Sequence, residues 1–129
     1  MLCFLYGPGE PERYPAQLSM RSVHDNKLVG FTVDGIAKRI VLNTIFDDQT
    51  PIEHTDVVFD GVMDHFFRDT VMPSIIFDIE PEDVAHVLTL YLDEISTGHQ
   101  RGGWPSFFAS EMSEMVTKIS DADCTMSTI

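Results

Sequence analysis

The sequence predicts an α+β domain in which an antiparallel sheet of about five to seven strands is followed by two C-terminal helices packed on one face. Three observations carry this expectation. Short apolar or alternating stretches separated by turn residues fill the first 80 positions, and helical spacing of apolar residues begins only after Glu80. The chain has 129 residues, 43 % of them hydrophobic, which is material for one core and not two, so residues 1–129 are read as a single domain.

Leu2 to Tyr6 reads as a short buried strand, ended by Gly7-Pro8-Gly9-Glu10-Pro11, where closely spaced breakers leave only loop. This glycine-rich stretch is no phosphate loop. It lacks a Gly-Lys-Ser/Thr ending, and its prolines remove N–H donors that such a loop aims at phosphate. From Gln17 the pattern is a meander: a strand to Val23, a turn at His24 to Lys27, and a strand with Val29, Phe31 and Val33 on one face. Asp34-Gly35 predicts a type I′ hairpin turn, because both central residues of that turn need positive φ. A strand follows from Ile36 to about Phe46.

Asp47 to Thr55 is loop by composition. Strand signals resume at Asp56 to Val62 and at Ser74 to Ile79, while Met63 to Asp69 shows no clear period. Pro81 is then expected at the first helical position, with an apolar stripe of Val84, Val87, Leu88, Tyr91, Leu92 and Ile95 ending at Gly98. Pro105 opens a second helix with the stripe Phe108, Met112, Met115, Val116 and Ile119. Cys124 to Ile129 is read as one last short strand.

The composition excludes several functions. With 21 acidic against 8 basic residues the formal charge is −13, which argues against binding nucleic-acid phosphates or an anionic membrane surface. The charge is concentrated: residues 47–94 hold thirteen acids against one base, Arg68, for a net of −12, whereas residues 1–46 are nearly neutral. No apolar run approaches the roughly 18–20 residues of a membrane span, and the apolar start lacks the basic flank of a signal peptide. Cys3 and Cys124 have no zinc-site spacing. They are expected as free thiols, with a disulfide between the terminal strands as the alternative. The expected location is cytoplasmic.

No cofactor motif, metal motif or complete catalytic set is present, so the chain is read as non-enzymatic. Asp60 and Asp64 would lie about 13 Å apart in a regular strand, too far to share an ion. The rival metal set is His54 and Asp56 with Asp78 and Glu80, each pair spaced i, i+2 on one strand face. No G-x-S-x-G elbow occurs, and Asp64-His65 points to opposite faces if extended. A concentrated acidic segment either solvates the fold or recognises a basic partner. Trp104, between Gly103 and Pro105 in a loop that also holds Arg101, is either a lid on the core or an interface anchor. The candidate partner-binding residues are therefore Asp60, Asp64, His65, Asp69, Arg101 and Trp104.

The run Val58-Phe59-Asp60-Gly61-Val62-Met63-Asp64-His65-Phe66-Phe67, with Ile75-Ile76-Phe77-Asp78-Ile79-Glu80 and Gly103-Trp104-Pro105, resembles a group of small bacterial proteins of uncharacterised function. The likeness covers roughly residues 56–104. It implies, by analogy, an immunity-like protein that neutralises a toxin by binding it through an acidic surface. The alternatives are a metal-dependent enzyme or small-molecule binder, and a structural homodimer joined through an uncovered sheet face.

Overall fold

A computed structural model of the chain describes residues 2–7, 11–14, 23–67, 72–76, 79–103, 105 and 107–129. Their elements are β1 (Leu2–Tyr6), β2 (Glu12–Tyr14), β3 (Lys27–Asp34), β4 (Arg39–Phe46), β5 (Glu53–Asp60), β6 (Asp64–Phe67), β7 (Ser74–Ile75), β8 (Glu80–Pro81), α1 (Val84–Leu90), α2 (Leu92–Gly102), α3 (Met112–Asp121) and β9 (Thr125–Thr128). The α+β class holds, with an antiparallel strand region leading into C-terminal helices. Its details differ from expectation. The described residues form nine strands in two sheets, not one sheet of five to seven, and three helices, not two.

The strands order as β2-β5-β4-β3-β7 in one sheet and β6-β1-β9-β8 in the other, every pair antiparallel. Two clusters of buried side chains show how the layers stack. Tyr6 of β1 packs with Leu28, Ile40, Leu42, Val57 and Phe59 of the five-stranded sheet. Its neighbour Leu5 packs with Val87, Leu88, Ile95, Met115 and Ile119 of the three helices. Successive strand residues point to opposite faces, so the four-stranded sheet is the middle layer, with the five-stranded sheet on one side and the helices on the other.

The two ends of the chain meet at the centre of this middle sheet. β1 and β9 pair from Cys3↔Thr128 to Tyr6↔Thr125. The same register separates the cysteines. Cys124 lies beyond Thr125, so it is about four strand residues, about 13 Å, from the level of Cys3, more than a disulfide spans. Cys124 is a free thiol.

Several local differences have identifiable causes. In β3 the register with β4 shifts between Leu28 and Gly30, so Leu28 and Phe31 face the core while Val29 is largely exposed; the expected shared face of Val29, Phe31 and Val33 is broken by this bulge. The β3–β4 turn is a loop of residues 35–38 rather than a two-residue type I′ turn. Asp34 Oδ1 accepts from the N–H groups of Ile36 (3.0 Å) and Ala37 (2.8 Å), and the left-handed residue is Lys38, φ +52°, in place of Gly35. Pro81 sits in β8, where an edge strand tolerates its missing N–H, and α1 starts three residues later, at Val84, capped by Asp83 Oδ1 accepting from His86 N at 2.8 Å.

The expected single helix is two. The chain leaves helical geometry at Tyr91 (φ −115°, ψ 21°) and resumes as α2, which runs through Gly98 and stops at left-handed Gly103, φ +71°. Pro105 does not open a helix. It is buried with Phe107 and Ala109 in the segment before α3. The strand expected at Gln17 to Val23 lies, apart from buried Val23, outside the described residues. Ser74 to Ile79 shrinks to the two residues of β7, with Phe77 and Asp78 outside the described set.

Candidate functional site

The crossing from the outer to the middle sheet places the segment of interest. β5 ends at Asp60, and Gly61 turns the chain with φ +67°. Three main-chain bonds then staple the crossing to both sheets: Gly7 N to Asp60 O (3.3 Å), Val62 N to Lys38 O (2.9 Å) and Met63 N to Leu5 O (2.8 Å). Asp60 and Asp64 therefore lie in different sheets.

β6 has a different environment on each face. Its pairing with β1 (Leu5↔Asp64, Cys3↔Phe66) puts Asp64 and Phe66 on the helix side and His65 and Phe67 on the side of the outer sheet. Phe67 meets Phe31 edge-on at 4.6 Å, and the Phe66 ring lies 5.8 Å from that of Tyr91. Asp64 is buried beside a small cavity of about 30 Å³ that also touches Leu5, Leu88, Ile95 and Met126. That volume holds about a water molecule, so the cavity is no ligand pocket.

On the helix side Phe66 borders an open depression of about 510 Å³ along α2, formed with Asp93, Glu94, Thr97, Gly98 and Arg101. These five α2 residues recur at helical spacings of three and four, so they make one flank of the helix. Asp93 and Glu94 stand in its first turn, where the helix dipole favours acid, and Arg101 in its last turn, where it favours base. The depression thus has an aromatic side and a carboxylate end.

The six candidates fall in separate groups. Asp64 and His65 precede Phe66 on β6, Asp64 at the small cavity and His65 on the side of the outer sheet, and neither lines the depression that Arg101 borders. Asp60 is on the outer sheet, ion-paired with Arg39 through Oδ1 at 2.7 Å from Nε and Oδ2 at 3.2 Å from Nη2. Asp69 and Trp104 lie outside the described residues. Phe66, Asp93 and Glu94 were not singled out by sequence reasoning. The signal for Phe66 was the adjacent pair Phe66-Phe67, two aromatics in a row that a strand covered on both faces accommodates.

The described acidic residues of 47–94 are spread over all three layers, with Asp64 and Glu80 on strands of the middle sheet. Asp47, Asp56 and Asp60 belong to the outer sheet region, where Lys27 Nζ donates to Asp47 Oδ2 (2.7 Å), Asn43 Nδ2 to Asp56 Oδ1 (3.0 Å) and Arg39 to Asp60. Glu82, Asp83, Asp93 and Glu94 lie at the helices, and Glu82 accepts from the Thr128 hydroxyl at 2.6 Å. Of the rival metal set, His54 and Asp56 share the outer face of β5, Asp78 is outside the described residues, and Glu80 is placed by its main chain in β8. Among the described residues, no three His, Cys, Asp or Glu side chains are grouped to hold an ion.

Cys124 Sγ lies 3.0 Å from Met63 Sδ. Burial raises its thiol pKa above the ordinary value, and the nearby carboxylates of Asp123 and Asp64 push it further in the same direction. No helix among the described residues is long and apolar enough to cross a membrane. No family model, curated protein or solved structure matches the chain.

Proposed function

We propose that this chain is a bacterial, non-enzymatic protein-interaction domain that binds a basic segment of a partner at the depression between Phe66 and α2. The observation that carries the reading is the pairing of an aromatic ring with the carboxylates of Asp93 and Glu94 around one open concavity. A lysine or arginine side chain entering it meets the Phe66 ring and opposite charge together. Toxin neutralisation is the form this takes if the basic segment is a toxin's substrate groove. The chain's charge of −13 supports it, because long-range attraction speeds encounter with such a groove. We place the protein in the cytoplasm.

A homodimer joined through the outer sheet draws no support from that face. Ion pairs and hydrogen bonds of Arg39, Asn43 and Lys27 cross it, a pattern suited to water.

The test is co-purification from the native cells of the tagged protein and of its D93K/E94K variant, at low and high ionic strength. A basic protein retained by the wild type at low salt and lost by the variant supports the reading. Equal recovery on both baits, or recovery of no basic protein, removes it.

A further inference from the structure

We propose that the cleft at the turn end of the β3–β4 hairpin is a second docking point, which takes a carboxylate side chain of a protein partner. It is independent of the α2 depression and opposite to it in charge. The cleft, of about 180 Å³, lies where the hairpin meets the β5–β6 crossing, with Val33, Val62 and Met63 as apolar walls and Lys38, Arg39 and His65 as basic groups.

The basic groups differ in what already holds them. Arg39 is engaged by Asp60 through two bonds. Lys38 has no ion pair among the described residues, although the chain carries 21 carboxylates against 8 bases. The backbone beneath it is fixed: its carbonyl accepts from Val62 N, and Asp34 ties down the loop before it through Ile36 N and Ala37 N. Asp34 also lines the cleft, but its Oδ1 is committed to those two N–H groups, which offset part of its charge. An arriving carboxylate finds an ammonium with no ion pair among the described residues, on a rigid mount, and a histidine in the same lining.

Size and surroundings select the occupant. Free-standing ligand pockets run from about 300 to 1,000 Å³, and this one is smaller, the size for one side chain. Of its lining Met63 is 46 % exposed and Val33 40 %, and Ile36 on the same turn is 99 % exposed, apolar surface that a passing protein segment covers and a small anion leaves bare. The partner segment therefore presents Asp or Glu flanked by apolar residues.

Three capped probes test this by amide chemical-shift titration of the folded protein: acetyl-Leu-Glu-Leu-amide, acetyl-Leu-Gln-Leu-amide, and butyrate as a free carboxylate. Expected are saturable shifts confined to residues 33–40 and 62–65 with the Glu peptide, and binding about fivefold weaker with the Gln peptide, the upper range for an exposed charge pair. Lys38→Gln, at an exposed loop position, is expected to bring the Glu peptide down to the Gln peptide's level while shifts elsewhere in the spectrum stay in place. Equal binding of the two peptides, no saturable shift, or indifference to K38Q overturns the proposal. Butyrate binding as tightly as the Glu peptide overturns it too, by making the site one for a small acid.

Discussion

The phenol oxygen of Tyr6 and the hydroxyl oxygen of Ser127 lie 2.9 Å apart, buried, and join the first strand of the chain to the last. The Tyr6 ring also meets Phe59 of the outer sheet edge-on at 5.0 Å, so one residue ties both chain ends to the core between the sheets. Removing the phenol oxygen with Tyr6→Phe leaves Ser127 with a buried unsatisfied hydroxyl, which costs about 1–3 kcal/mol. Urea denaturation of Y6F, S127A and the double variant measures it. Both single variants are expected to be destabilised, and the double variant less than the sum of the two. Strict additivity would show that the bond contributes nothing.

Gly61 holds the crossing between sheets at φ +67°, and a Cβ there would stand 3.2 Å from Gly7 N and 3.3 Å from Gly7 Cα. Both terms act against any side chain. Gly61→Ala is expected to lose about 1–3 kcal/mol of stability, whereas Gly35→Ala, with open space around its Cβ and no positive φ, changes little. A thermal melt of the two variants side by side decides this, and equal melting temperatures would contradict the reading of Gly61.

Lys27 and Asp47 give a pH signature. The Lys27 hydrogen bond holds the Asp47 carboxyl below its usual pKa, and the same bond raises that of Lys27. For a depressed carboxyl the stabilisation is fully present above the unfolded value and disappears as pH falls through the folded one. For the raised lysine it is present below the ordinary lysine pKa and is lost as pH rises through the higher value. In urea midpoints followed from neutral pH to about pH 2, Asp47→Asn is expected to be less stable than wild type at neutral pH and to converge on it in acid. A gap that persists at the acid end would sink the assignment.

Cys124 is expected to react slowly. Burial and the carboxylates of Asp123 and Asp64 keep its thiol protonated at pH values where an exposed cysteine begins to ionise. Thiol labelling in mild alkali, native against urea-unfolded, is the check. A native rate matching the unfolded one would contradict the described environment.

The parts of the fold legible in the sequence are those whose apolar run or stripe is unbroken and bounded by turn residues. β1 and β9 read as strands at the positions where they occur, and the apolar stripe of α3 contains Met115 and Ile119, which are buried. What stayed hidden in β6 depends on a polar residue facing a covered side. β6 buries Asp64 and turns half-buried Phe66 toward the helices and Phe67 toward the other sheet, so no alternation of apolar and polar residues marks it. The break at Tyr91 was equally invisible, because the stripe from Val84 to Ile95 continues across it at helical spacing. The −12 of residues 47–94 is a fact about sequence position. Folding carries Asp60 to the outer sheet and Asp93 to the opposite layer, so the candidate site draws on only part of that charge.

The proposed binding of basic segments at Phe66 and α2 is tested by titrating the labelled protein with acetyl-Gly-Arg-Gly-Arg-Gly-amide and following amide chemical shifts. Saturable shifts are expected, centred on residues 66, 93–98 and 101, weakening as salt is added and abolished in D93K/E94K. Shifts scattered over the outer sheet with no saturation, or a response that the charge reversal leaves unchanged, would contradict it.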